Sequence, residues 1–418
     1  MRSFKLLPAL FCLSLLATGG CDLFEEGDAD ETSPDTGAPV STETSDTDTT
    51  TSPTDTDTDT EDTDTTTPTT TELGSGWRIT YHPCFGNRTD ALLLEDGGDT
   101  IWVGCGTTTT GYGLFHSDNG GLTWSEPATS PTGFLENFRI NTITRSDDGQ
   151  LYVGGINTVG SERVVSLDTS GAQPYPLAEV FTSAGQLWNI FQAGSFARNA
   201  SGFAVAESLT GVDLAFRTAD DQPWQDGYGW WGGGGGYQIL DMVLHDDAFY
   251  GCGSTISTPP MVFLPPPGGM GDDFSLVPVQ LSTGLGEFSG EMWSLDADDD
   301  GLVVAGVNQE RNVGMIYTGP LDGYSAADWT AFDVSTLAPN EATWMRGACR
   351  NNGTIVAVGE YSIKAEGMIL ISTDGGATFT DETPSGYGTV PPVHRCEILD
   401  DGRIAIAGAD GWFGLYTP

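Results

Sequence analysis

Arginine side chains that converge can hold a carboxylate through paired N–H donors, and aromatic faces beside them suit a sugar ring or a peptide. Arg139, Arg346 and Arg395 recur at similar points of short apolar runs, and Trp188, Tyr237, Trp293, Trp344 and His394 fall at corresponding points. Together they form one candidate ligand-binding ring; packing of the same tryptophans between structural units is the other reading. A second group lies in Asp296-Ala297-Asp298-Asp299-Asp300-Gly301. Carboxylates at alternate positions ahead of a glycine can close on one Ca2+, which makes Asp296, Asp298 and Asp300 a candidate metal set. Val304 and Val307 stand where a later ligand would be needed, and a plain hairpin turn explains the same residues. Trp230-Trp231 precedes five glycines, Gly232 to Gly236, which reads as a contact loop; no helix follows, so it is not a phosphate loop.

The elements that would position these residues repeat along the chain. An Asp, Asn or Gly turn leads into a short β-rich run that ends in small residues, as in Asp147-Asp148-Gly149-Gln150-Leu151-Tyr152-Val153-Gly154 and Asn352-Gly353-Thr354-Ile355-Val356-Ala357-Val358-Gly359. Ile101, Leu151, Phe203, Phe249, Leu302, Ile355 and Ile404 mark these runs at spacings of 46 to 53 residues. Units of that length predict the blades of a β-propeller, here a single seven-bladed one over 73–418, with four strands to a blade. The last unit stops at Leu415-Tyr416-Thr417-Pro418, one strand short. Trp77-Arg78-Ile79-Thr80-Tyr81 supplies a strand at the other end, so the N-terminal strand is expected to close the last blade. The starts of the innermost strands then ring the mouth of the central channel.

Two turns carry a family resemblance. Ser117-Asp118-Asn119-Gly120-Gly121-Leu122-Thr123-Trp124 and Ser372-Thr373-Asp374-Gly375-Gly376-Ala377-Thr378-Phe379 resemble the Asp-box, or bacterial neuraminidase repeat, of β-propellers. The resemblance implies a structural turn, in which the acidic side chain or its Asn substitute caps backbone N–H groups. It also raises a sialidase-like glycosidase. Phe138-Arg139-Ile140-Asn141 resembles the F-R-I-P signature, with Asn141 in place of Pro and with the motif after the first Asp-box instead of before it. That enzyme needs three arginines on one carboxylate together with a nucleophile, and no nucleophile stands out. The expected function is therefore a non-catalytic binding or scaffold module, with a carbohydrate-active hydrolase as the alternative.

The N-terminus reads as an export signal over 1–20. Arg2 and Lys5 precede an apolar stretch from Leu6 to Ala17, which closes on Thr18-Gly19-Gly20-Cys21. Small residues before a cysteine resemble the bacterial lipoprotein box, with lipidation at Cys21; ordinary cleavage would leave Cys21 a thiol. Residues 21–72 then hold 17 acids and no Lys or Arg. Such a stretch cannot bury enough surface to offset its ordering entropy, and it reads as a disordered tether spanning at least ~40 Å. Asp22 directly after the cysteine resembles an inner-membrane retention signal of enteric bacteria, but the outer membrane or cell surface is the expected location.

Residues 73–418 carry 42 acids against 13 Lys and Arg, leaving about −29. A surface so acidic repels nucleic acid and excludes it as a partner. The partners expected are a membrane, through the lipid, and a protein, peptide or glycan ligand, with the chain a monomer. Apart from a loosely held Ca2+, no cofactor is expected: no CxxC or Cys/His metal spacing exists, and the chain has four His. Cys84, Cys105, Cys252, Cys349 and Cys396 remain for structural use, and their pairing is open.

Overall fold

The computed structural model describes residues 70–418 except 85, 107–110, 133–134, 136–137, 147–148, 158–161, 183–192, 203, 209–213, 227–236, 256–258, 269–275, 282–288 and 387. The leader, Cys21 and nearly all of the acidic tether, with Trp188 and Trp230 to Gly236, lie outside these residues, as does the side chain of Tyr237. Among the described residues no helix is long and apolar enough to cross a membrane.

Antiparallel sheets follow one another along the chain. Blade 1 is built on inner strand Phe138–Arg145, blade 2 on Ala193–Arg198, blade 3 on Tyr237–His245, blade 4 on Gly290–Asp298, blade 5 on Thr343–Asn351 and blade 6 on Val393–Ile398. Each of these six sheets has four or five strands. Runs such as Ile355-Val356-Ala357-Val358 are buried without alternation, because both faces of a blade pack against neighbours.

The expected seven blades are corrected to six. The segment Arg88–Glu95, Thr100–Gly106 and Gly111–Ser117 forms only a three-stranded sheet in the ring, not a complete blade. Its fourth strand starts and fails. His116 and Ser125 exchange both backbone hydrogen bonds at 2.9 Å. Two residues on, the ladder would place residue 127 opposite Leu114, and residue 127 is proline, with no N–H to donate. The chain leaves instead for blade 1, where Thr129–Ser130 pairs in parallel with Tyr175 and Pro176.

The terminal closure matches the sequence expectation. Trp77–Tyr81 pairs along its whole length with Trp412–Tyr416, from Trp77 opposite Tyr416 to Tyr81 opposite Trp412, and Thr71–Glu72 adds a fifth strand outside it. The Trp77 ring stacks on Tyr416 at 4.9 Å, and its Nε1 donates to the Glu382 carbonyl of blade 5. Two disulfides brace the same sector. Cys84–Cys105 ties the residues after the closing strand to the three-stranded sheet, and Cys349–Cys396 joins the inner strands of blades 5 and 6. With partners 21 and 47 residues apart in sequence, loop-closure entropy gives each about 3–4 kcal/mol. Cys252 is buried in blade 3, with its Sγ 3.5 Å from the Met292 carbonyl.

The two turns singled out in the sequence are built by their own side chains. Asn119 Oδ1 accepts from Thr123 N at 2.9 Å, and Asp374 Oδ1 accepts from Thr378 N at 2.9 Å. The hydroxyls of Ser117 and Ser372 accept from Gly121 N and Gly376 N at 2.8 and 2.9 Å. Hydrogen bonds from Thr378 and Ser372 hold the Asp374 carboxyl down at about 2.

This closure gives a truncation test. A chain beginning at Thr70 should elute as a monomer and melt cooperatively. A chain beginning at His82 lacks the closing strand and should aggregate or lose its cooperative transition in size exclusion and calorimetry.

Candidate functional site

Every inner strand shifts register against its neighbour at one equivalent place. The shifts fall between Thr89 and Ala91, Ile140 and Thr142, Ala193 and Ser195, Ile239 and Asp241, Met292 and Ser294, Met345 and Gly347, and Val393 and Arg395. The residues skipped are Asp90, Asn141, Gly194, Leu240, Trp293, Arg346 and His394. A β-bulge re-aims the side chain it carries, so three of the residues predicted for the channel mouth sit on its bulge ring. The bulge also accounts for several glycines of the second strands. It presses the carbonyl of the inner strand onto the next strand, where a Cβ on Gly155, Gly306 or Gly359 would meet a carbonyl oxygen at 1.9–2.0 Å.

The predicted arginines are brought into one cluster, and Asp90 organises it. Arg139 Nη2 lies 3.1 Å from Asp90 Oδ2, and Arg88 Nε lies 3.3 Å from Asp90 Oδ1. Arg395 donates through Nε to the Asp90 carbonyl at 2.6 Å. Burial alone would raise the Asp90 carboxyl; the charges of Arg88, Arg139, His394 and Arg395 outweigh it and hold the group well below the usual range. Arg346 donates through Nε and Nη2 to Glu360 Oε1 at 2.9 and 2.7 Å. Its guanidinium lies over two rings, 4.5 Å from Trp293 and 4.7 Å from Trp344. The rings are themselves fixed: Trp293 Nε1 donates to Glu291 at 3.0 Å, and Trp344 Nε1 donates to Asn312 Oδ1 at 2.5 Å.

His394 is only 5% exposed, and its Nδ1 has no hydrogen-bond partner among the described residues. Burial first, and then the charges of Arg88, Arg346 and Arg395, keep the ring neutral well below the ordinary imidazole value. Four guanidiniums thus gather against Asp90 and Glu360, with Glu291 beyond Trp293. Sequence reading missed Arg88, Asp90 and Glu360. Asp90 was legible, because it occupies in the first repeat the place that Arg346 and His394 occupy later.

The carboxylates Asp296, Asp298 and Asp300 are directed to different partners. Asp296 accepts from the Arg350 backbone N–H at 2.8 Å, Asp298 Oδ1 pairs with Arg350 Nε at 2.6 Å, and Asp300 is exposed. Asp296 belongs to another set. Asp241 Oδ2 accepts from Leu295 N at 3.1 Å, Ser294 Oγ from Ala348 N at 3.1 Å, and Glu397 Oε2 from Leu94 N at 2.8 Å. In each case a side chain of one inner strand caps an edge N–H of the next inner strand, which has no sheet partner on the channel side. Burial pushes these carboxyls up, Asp296 to about 7 and Glu397 to about 8, with Asp241 raised as well.

No known family profile matches the chain, and no curated protein is detectably similar in sequence. Solved structures are similar in fold. YCF48 from Cyanidioschyzon merolae aligns with 82% of this chain and 99% of its own, at 13% identity and a TM-score of 0.55. A streptogramin B lyase aligns with 83% of this chain and 99% of its own, at 14% identity and a TM-score of 0.54. YCF48 bound to D1 peptide aligns with 83% and 98%, at 15% identity and a TM-score of 0.54. Such likeness shows the β-propeller fold.

The raised carboxyls make stability depend on pH with a definite sign. The folded state holds protons on Glu397 and Asp296 that the unfolded chain releases, so their contribution is present at lower pH and is lost as pH rises through about 7 and 8. His82, pushed down to about 3 by burial, acts in the opposite sense, losing stability as pH falls below 6.5. The melting temperature should therefore rise by a few degrees from pH 9 to about pH 6.5; below that the two carboxyls go on contributing down to their unfolded values of 3.8 and 4.5 while His82 opposes them, so the rise should become shallower. Glu397→Gln, which keeps an acceptor for Leu94 N–H, should remove most of the slope above pH 7.

Proposed function

We propose that this chain is an exported, lipid-anchored protein whose propeller is a non-catalytic binding module, held off the membrane by the acidic tether of residues 21–72. Cys21 carries the lipid in this reading, and two disulfides among the described cysteines suit an oxidising compartment. The outer membrane or cell surface is the proposed location. The Ser117–Trp124 and Ser372–Phe379 turns are proposed to be of Asp-box type, with a structural role only.

One observation carries the binding site. Four of the 13 basic residues after residue 72, Arg88, Arg139, Arg346 and Arg395, meet at the channel mouth of an otherwise acidic chain. Gathering cations is costly: burial depresses the Arg346 guanidinium, Glu360 opposes that, and the charge of Arg88, itself nearly half exposed, adds to it. An incoming carboxylate relieves that repulsion. Trp293 and Trp344 beside it supply apolar faces, so the ligand class proposed is an acidic peptide segment. YCF48, similar in fold, has been solved bound to D1 peptide. A streptogramin B lyase shares the fold too, so architecture does not decide between binding and catalysis. Arg139 is committed to Asp90 and Arg346 to Glu360, which favours binding over the three-arginine carboxylate site of a glycosidase.

A peptide and glycan array probed with residues 70–418 tests this reading. Acidic peptides should be retained, with affinity falling as salt rises. Arg346→Gln should weaken retention at least ~tenfold, since one lost charge-assisted contact is worth about 1.5–3 kcal/mol, and Trp293→Ala should weaken it by removing an apolar face. Retention of neutral glycans alone, unaffected by Arg346→Gln, would be the contrary result. Cys21→Ser should release the full chain from the membrane fraction.

A further inference from the structure

The inner strands of blades 3 and 4 end in corresponding hairpin turns, away from the strand starts that form the proposed ligand site. In blade 3, His245 and Ala248 are opposed across Asp246-Asp247, both with positive φ, at 48° and 59°. This is the two-residue turn in which Asp is tolerated. In blade 4, Asp298 and Gly301 are opposed across Asp299-Asp300. The two turns bring three ligand-type side chains together. His245 Nε2 lies 3.4 Å from Asp299 Oδ1 and 3.8 Å from Asp246 Oδ2, and the three donor atoms are mutually within 4.8 Å. Among the described residues this is the one group of three His, Cys, Asp or Glu at such spacing.

His245 Nε2 is buried and makes no hydrogen bond. A buried imidazole nitrogen thus faces two carboxylates without a hydrogen bond to either. One nitrogen and two anionic oxygens converge, and the aspartates that carry the oxygens are 84% and 94% exposed and free to adjust. A tetrahedral ion with ligands at about 2.0–2.2 Å sets ligand–ligand separations of about 3.3–3.6 Å. The observed pairs need only a small closure of two exposed aspartates to reach that geometry.

We propose that His245, Asp246 and Asp299 bind a divalent transition ion of the zinc type, with water completing the shell, and that the ion clips blades 3 and 4 together. The imidazole nitrogen selects against Ca2+ and Mg2+, which take oxygen ligands. The site differs from the alternating Asp296, Asp298, Asp300 set in using Asp299, which the alternation passes over.

Calorimetric titration of Zn2+ into the chelator-treated full chain tests the assignment. Excess Ca2+ is present to saturate the surface carboxylates. The expected result is one equivalent of Zn2+ bound and a higher melting temperature. Asp299→Asn should weaken binding at least ~tenfold, His245→Asn should abolish it, and Asp300→Asn, an exposed acid outside the group, should leave it unchanged. Asp299 is almost fully exposed, so its substitution spares the fold and decides the matter if the His245 variant misfolds. No Zn2+ uptake in excess Ca2+, or uptake indifferent to Asp299→Asn, would overturn the proposal.

Discussion

The pairing of Trp77–Tyr81 with Trp412–Tyr416 is the constraint on which the remaining structure rests. A ring of sheets is continuous only if its last sheet is completed, and here the completing strand comes from the opposite end of the chain. Trp77, Ile79 and Trp412 are buried to within 1% of full burial, so closure also forms the core of blade 6. The sequence separation makes this contact entropically expensive. It is fixed by aromatic stacking within the strand pair and by the Cys84–Cys105 disulfide directly after it. Closure also carries the inner strand of blade 6 against the three-stranded sheet. There Arg395 reaches the Asp90 carbonyl and Glu397 reaches the Leu94 N–H. The channel mouth is thus assembled across the seam that the terminal strand seals.

A closed ring still leaves the channel edge of each inner strand unsatisfied, and the chain meets that need with side chains. Asp241, Ser294, Asp296 and Glu397 each accept an N–H from the next strand. Three of these are half-buried acids, whose raised proton affinity accompanies the arrangement. At the mouth the same register carries Asp90, Arg346 and His394, with Arg395 next in line. The arginines are thus gathered at one end of the inner strands, with Asp90 and Glu360 among them, in a chain whose net charge is −44.

Much of this architecture was legible in the sequence because it is written in local chemistry. The landmark runs and the two capped turns each depend on residues within one hairpin, and the closing strand showed itself as a strand missing at one end of the chain and spare at the other. The count of blades was not legible from the same signals. The Ile101 unit has its turn, its strands and the aromatic Trp124, and it still fails to complete a blade because Pro127 falls where an N–H is required. The Asp296 to Asp300 pattern likewise did not show where its carboxylates go. Alternation in a strand shares a face, but the strand ends at Asp298, so Asp299 and Asp300 belong to a turn with its own geometry. Which carboxylate faces His245 is set by the adjacent blade, and nothing within the pattern encodes it.

The bulge ring links fold to function more tightly than either aromatic content or charge. Placing Trp293, Arg346 and His394 toward the channel requires an extra residue in each inner strand. That residue drives the preceding carbonyl into the neighbouring strand, where only glycine leaves room. Gly359 lies under the Trp344 carbonyl and Gly306 under that of Glu291, the residue that holds Trp293. Gly306 and Gly359, two of the glycines that revealed the repeat, therefore back the proposed site from the second strand. Adding a methyl group at Gly359 would force apart the strand pair that presents Trp344 and Arg346. Stability and binding should fail together there, as expected of a site built from backbone geometry instead of from loops laid over it.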